Sequence, residues 1–160
     1  TDVKDFFAIG KKSFIYWRSY RGNLCTEEST CISLERNEDT ARPFGLREAY
    51  FCGTHSYNYP VYGTVSRGSY LDDSPILDLR GERSHPFPQN MKRRYHFQYY
   101  DGKKGCAVLT INEPAGGIQC ELLVWKDRTK TEPSEQCKKE YEKFCPKGER
   151  YEVFIQDSCF

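Results

Sequence analysis

The chain has one methionine, two tryptophans and three histidines among its 160 residues. The histidines, His55, His85 and His96, stand far apart, and there is no C-x-x-C pair or Cys/His block. A structural zinc site is therefore not expected. No G-x-S-x-G nucleophile turn and no glycine-rich phosphate loop occurs, so the residues support neither an enzyme nor a bound cofactor. No apolar run approaches the ~20 residues of a membrane-spanning helix. There is no N-x-S/T site. Charge of one sign is missing too: 24 Lys and Arg stand against 23 Asp and Glu, a formal net charge of +1. So weak a field draws neither nucleic acid nor an anionic membrane. Thr1 is expected to open a mature, exported chain.

Cysteines and aromatic rings are plentiful. Eight cysteines, an even number beside a single methionine, point to an oxidising compartment. The 12 tyrosines and 10 phenylalanines are many for an ordinary domain. A chain of this length fits one domain, 1–160, with a core large enough that disulfides reinforce it rather than replace it. A monomer is expected.

In chain order, Val3, Phe6 and Phe7 are spaced for one or two helical turns closed by Gly10. S-F-I-Y-W-R-S-Y-R (13–21) is β-branched and aromatic, and predicts a strand. Strict alternation would place Phe14, Tyr16, Arg18 and Tyr20 on one face. Further strands are predicted at 31–36, 46–52, 63–70, 76–80, 93–100, 106–111 and 119–126, with 54–62 irregular. D-G-K-K-G (101–105) is a hairpin turn. Cys137, Tyr141, Phe144 and Cys145 form one helical stripe behind Pro133, and Pro146 and Gly148 end it. Y-E-V-F-I (151–155) is a closing strand.

Eight strands in hairpin succession, then a helix and a last strand, predict an antiparallel up-and-down barrel with a C-terminal helix packed outside and a short N-terminal helix. In C-E-L-L-V-W, Leu122 and Val124 face one way and Leu123 and Trp125 the other. A strand apolar on both faces needs cover on both, which lumen and helix would supply. An eight-stranded barrel is wide enough for one small ligand.

The F-F near the start, the first strand ending S-Y-R, C-I-S-L, G-C-A-V, C-E-L-L-V-W, the cysteine-bearing helix and the closing Y-E-V-F…C stand in an order that resembles the tick salivary lipocalins of the histamine-binding type. The resemblance implies a lipocalin barrel, secreted in saliva, that binds a host inflammatory or vasoactive mediator and so suppresses host defence at the bite. It implies two disulfides, Cys31 with Cys159 and Cys106 with Cys137. Cys25, Cys52, Cys120 and Cys145 remain, and four cysteines allow three pairings.

The amine-binding members of that family resemble one another in C-D-[V/I/L] followed by E-L-W. A buried ammonium needs carboxylate partners, and aromatic walls add cation–π attraction. Here the first motif reads Cys106-Ala107-Val108, without the acid. In the second, either Glu121 keeps the acid's place or, aligned on Trp125, Leu123 takes it. Tyr20 matches a pocket tyrosine, and Arg18 would share its face. Tyr16, Phe97 and Tyr99 complete the candidate lining, unless the His96 face of that strand turns inward. Lys92-Arg93-Arg94 is expected to be a solvated strand edge, and Asp72-Asp73 a solvated turn.

A cation among aromatic walls suits a carboxylate on an apolar body, such as a fatty acid or leukotriene. The resemblance implies histamine or serotonin instead. Two or more buried carboxylates would favour the amine, and a buried arginine with no acidic partner would favour the lipid. The other expectation is a surface that binds a host immune protein through the tyrosine-rich stretch 55–63.

Overall fold

The computed structural model describes residues 2–21, 29–37, 44–67, 74–81, 92–112, 117–145 and 150–159. A short helix, α1 (Asp2–Phe6), leads into eight strands: β1 (Lys12–Arg18), β2 (Ser29–Arg36), β3 (Gly45–Cys52), β4 (His55–Arg67), β5 (Pro75–Gly81), β6 (Arg93–Asp101), β7 (Cys106–Asn112) and β8 (Ile118–Trp125). A 3-10 turn (Lys126–Arg128), helix α2 (Glu135–Phe144) and the two-residue strand β9 (Tyr151–Glu152) follow. Each strand pairs antiparallel with the next, and β1 pairs with both β8 and β2, so the sheet closes on itself. The expected eight-stranded up-and-down barrel forms.

One expected irregular stretch is strand. Residues 55–62 pair with β3, from Cys52 opposite His55 to Gly45 opposite Tyr62. Pro60 is tolerated within this strand. It stands one residue outside the β4–β5 ladder, which ends at Val61 opposite Gly81, so its missing N–H takes no bond from that ladder.

The barrel has a stoppered end and a mouth. At the stoppered end Phe6 and Phe7 are fully buried among inward-facing side chains. The Phe6 ring stacks on Trp125 at 5.6 Å and lies 5.9 Å from Phe97. The Trp125 indole donates to the Phe6 carbonyl at 2.9 Å, and Arg36 donates to the Phe7 carbonyl at 2.9 Å. The apolar middle of the barrel, including Ile15, Leu77, Leu79, Leu109 and Leu123, packs against this stopper.

Helix α2 lies outside against β7 and β8. Its N-cap is Ser134, whose hydroxyl accepts from the Cys137 N–H at 3.2 Å, so Pro133 precedes the cap instead of opening the helix. Cys137 and Tyr141 pack on Trp17, Val108, Leu122 and Val124. So narrow a stripe holds a ten-residue helix weakly, and two disulfides reinforce it: Cys106–Cys137 to β7 and Cys120–Cys145 to β8. The pairings implied for Cys31–Cys159 and Cys106–Cys137 are both present. Cys52 is oxidised as well, while Cys25 lies outside the described residues.

The mouth half has a seam. Strand β1 meets β2 only over Lys12–Phe14. Nearer the mouth, β9 pairs with β1, Trp17 opposite Glu152 and Arg18 opposite Tyr151. Cys31 donates its N–H to the Val153 carbonyl at 2.9 Å, and Val153 is fully buried in the barrel interior.

Two bulges decide which side chains face in. On β1, Ile15 and Trp17 oppose the consecutive residues Leu123 and Leu122, so Tyr16 is an extra residue. On β6, Phe97 and Tyr99 oppose Leu109 and Val108, so Gln98 is extra. Each extra residue shifts the two-residue period by one. The face expected to carry Phe14, Tyr16, Arg18 and Tyr20 is thereby split. Phe14 and Tyr16 pack outside with Phe154, whereas Arg18, opposite the inward Glu121, turns in. Tyr99 likewise faces out beside the α2 cluster, and Tyr100 takes the inward place.

Candidate functional site

Polar side chains converge inside the mouth half from β1, β2, β3, β4, β6 and β8. Arg18, Ser29, Glu48 and Glu121 are all at most 4% exposed. Burying groups of this kind is costly unless they are paired, and they are. Arg93 donates to Glu48 at 2.8 Å and to the Tyr95 hydroxyl at 3.2 Å. Tyr59 also donates to Glu48. Tyr20 donates to Glu121, and Arg18 donates to the Ser29 hydroxyl at 3.3 Å. The Arg18 guanidinium lies 5.3 Å from the Tyr20 ring centre. Tyr50, with Tyr57 at 5.6 Å and Tyr59 at 6.0 Å between ring centres, extends the aromatic wall.

The electrostatics follow from this packing. Burial pushes the Glu121 carboxyl above the ordinary carboxylate value and Glu48 adds to the rise, while the Tyr20 hydrogen bond, Arg93 and Arg18 oppose it. Burial, then Glu121, holds the Tyr20 phenol well above its usual value. Burial works against the charge on Arg93, but Glu48, Tyr95 and Tyr59 together outweigh it and hold that guanidinium well above its usual value. Burial and Glu48 push Tyr50 up to about 12. The mouth thus holds two carboxyls and two guanidiniums ringed by neutral phenols. Glu121 carries one phenolic hydrogen bond among the described residues, which leaves acceptor sites open on a group that can take about four.

Of the residues anticipated from sequence, Arg18, Tyr20, Glu121 and Leu123 come together in the lumen. Phe97 and Trp125 also face in, but lower down, where they contact the stopper. Tyr16 and Tyr99 lie outside. Tyr16 stacks on Phe154 at 5.4 Å, and Tyr99 donates to Asp101 at 3.3 Å. Arg93 corrects the reading of its charge run: Lys92 and Arg94 are exposed, but Arg93 points inward to Glu48. Glu48 was missed altogether. The alternation Leu46, Glu48, Tyr50, Cys52 in L-R-E-A-Y-F-C was the signal available. Asp72-Asp73 lies outside the described residues.

A closed antiparallel barrel with an outer helix, a stoppered base and a polar, aromatic mouth defines a small-molecule-binding protein of the lipocalin class. The family model described as "Tick histamine binding protein" matches residues 70–160. That is more than half of the chain, and the chain belongs to this family. No curated protein matches it. Among the described residues, no helix is long and apolar enough to cross a membrane.

Proposed function

We propose that the barrel binds a small aromatic amine, histamine or serotonin, with its ammonium on Glu121 and its ring among Tyr20, Tyr50, Tyr59 and Tyr95. The observation that carries this reading is the pair of buried carboxylates, Glu48 and Glu121, in one tyrosine-lined lumen. Both inward-facing arginines, Arg18 fully and Arg93 partly buried, have an acidic neighbour. Arg93 sits on Glu48, and Arg18 stands opposite Glu121 across the β1–β8 ladder. The site is therefore not a bare cation awaiting a carboxylate. An ammonium entering beside Glu121 replaces the water that burial denies this group, and the phenol faces add cation–π attraction. The family's name supports the same ligand class. The wider role proposed is that of an exported salivary scavenger, lowering a host mediator at the bite. The disulfides fit an oxidising compartment.

A second reading keeps the amphipathic lipid, with its carboxylate on Arg18 and its chain over Ile15, Leu79 and Leu109. It is favoured by the nearly complete burial of Arg18 above that apolar layer. Of the tyrosines expected on a partner-binding surface, Tyr59 is buried and Tyr57 packs against the interior, while His55, Ser56 and Asn58 are exposed. Isothermal calorimetry with histamine, serotonin, leukotriene and arachidonate tests the proposal. The expected result is one amine per chain and much weaker binding of both lipids. Saturable lipid binding with no heat from either amine overturns it.

A further inference from the structure

A second feature lies outside the barrel, at its stoppered end and far from the mouth. Four lysines, Lys11, Lys12, Lys126 and Lys130, and two acids, Glu35 and Asp127, line an open groove of about 630 Å³. The whole chain is nearly neutral at +1, so this is a local concentration of positive charge. The two acids offset half of it and leave the lining with two net positive charges. Lys11 reaches Asp127 at 3.6 Å, but the two side chains are 41% and 63% exposed, and such pairs hold weakly.

The backbone beneath the lysines is pinned. The Lys11 carbonyl accepts from the Arg36 N–H at 3.2 Å. The Lys126 carbonyl accepts from the N–H and the hydroxyl of Thr129, which is fully buried. Lys11 is further held by its ammonium, 4.5 Å from the Trp125 ring centre. Gly10 adopts φ +83°, and a Cβ there would touch nothing within 4 Å, so bare backbone forms part of the open wall.

We propose that this groove docks a linear sulfated polysaccharide. Lysine is a compact point charge suited to sulfate, and several on a fixed frame meet a repeating polyanion at multiple points. The lining offers no aromatic face on which a nucleic-acid base could stack. Ile9, 56% exposed, is its one large apolar residue, too little for insertion into a lipid surface. Docking at this end holds the protein on matrix while the mouth, at the opposite end, stays open.

Heparin is the probe. The wild-type chain is expected to stay on a heparin surface at physiological salt and to release as salt rises. The triple variant K12Q/K126Q/K130Q, which leaves Lys11 on Trp125, is expected to bind at least about tenfold more weakly. A control variant on α2, K139Q/K143Q, is expected to bind heparin as wild type does. Far-UV circular dichroism and an unchanged amine titration show that the triple variant is folded. The proposal is overturned if wild type passes through heparin unretained at physiological salt, if the triple variant binds as tightly as wild type, or if de-sulfated heparin or anionic vesicles compete equally well.

Discussion

Replacing Glu121 with glutamine removes one charge from the mouth and little else. The amide keeps the size of the carboxyl and still accepts from Tyr20, so the barrel is expected to fold. A hydrogen bond to a charged group contributes about 1.5–3 kcal/mol. On that basis E121Q should bind serotonin roughly 10- to 150-fold more weakly than wild type. Serotonin suits the test because its ammonium stays charged from pH 5 to neutrality. Burial raises the Glu121 carboxyl above its ordinary value in the free protein, and a bound cation pulls it back down. Binding therefore releases a proton, and wild-type affinity falls as pH falls through the raised value, by at most about tenfold per unit. In E121Q that dependence should vanish. Stability gives an independent reading with the opposite trend. Because the folded state holds the proton more tightly than the unfolded chain, wild type loses stability as pH rises from the ordinary value of 4.5 towards the raised one. The glutamine variant should lose less over the same window. Calorimetry across pH and urea unfolding across pH measure the two effects. If E121Q binds serotonin within threefold of wild type, or keeps its pH dependence, Glu121 is not the ammonium's partner.

Y20F removes the bond that lowers the Glu121 carboxyl, so the midpoint of the pH–affinity curve should move upward. Y16A should leave ligand binding within twofold and cost only stability, because Tyr16 stacks outside on Phe154. C106A/C137A frees the start of α2 from β7 across a separation of 31 residues and should cost about 3–4 kcal/mol in urea unfolding, with amine affinity nearly unchanged. F6A should cost about 3–5 kcal/mol and alter Trp125 fluorescence, because the fully buried Phe6 ring stacks on that indole.

The architecture was readable because its signals are local. Both faces of Leu122–Trp125 are apolar, the Cys137/Tyr141 stripe is helical, and hairpin turns separate alternating runs. The interior assignment of β1 and β6 was not, because it depends on counting by twos. Tyr16 and Gln98 carry no glycine or proline to mark them as extra residues. Their bulges arise from how β1 meets β8 and how β6 meets β7, which no single strand reveals. Arg93 was hidden by its exposed neighbours, and its partner Glu48 is 45 residues away in the chain. A partly buried ion pair of this kind becomes visible only once both strands have been placed.

The β9 seam sets an order of biosynthesis. Cys31 is made early, but its partner Cys159 lies 128 residues downstream, and Val153 must arrive before the interior beside β1 is sealed. Until that stretch has been made, β1 and β2 meet at only three residue pairs. The nascent cylinder stays split along one side, with strand edges open to wrong partners. Chaperones that shield those edges, and an oxidant that acts only after residue 159 has appeared, would decide the yield of correctly closed protein. A truncation before Val153 should be recovered as mispaired, disulfide-linked aggregates.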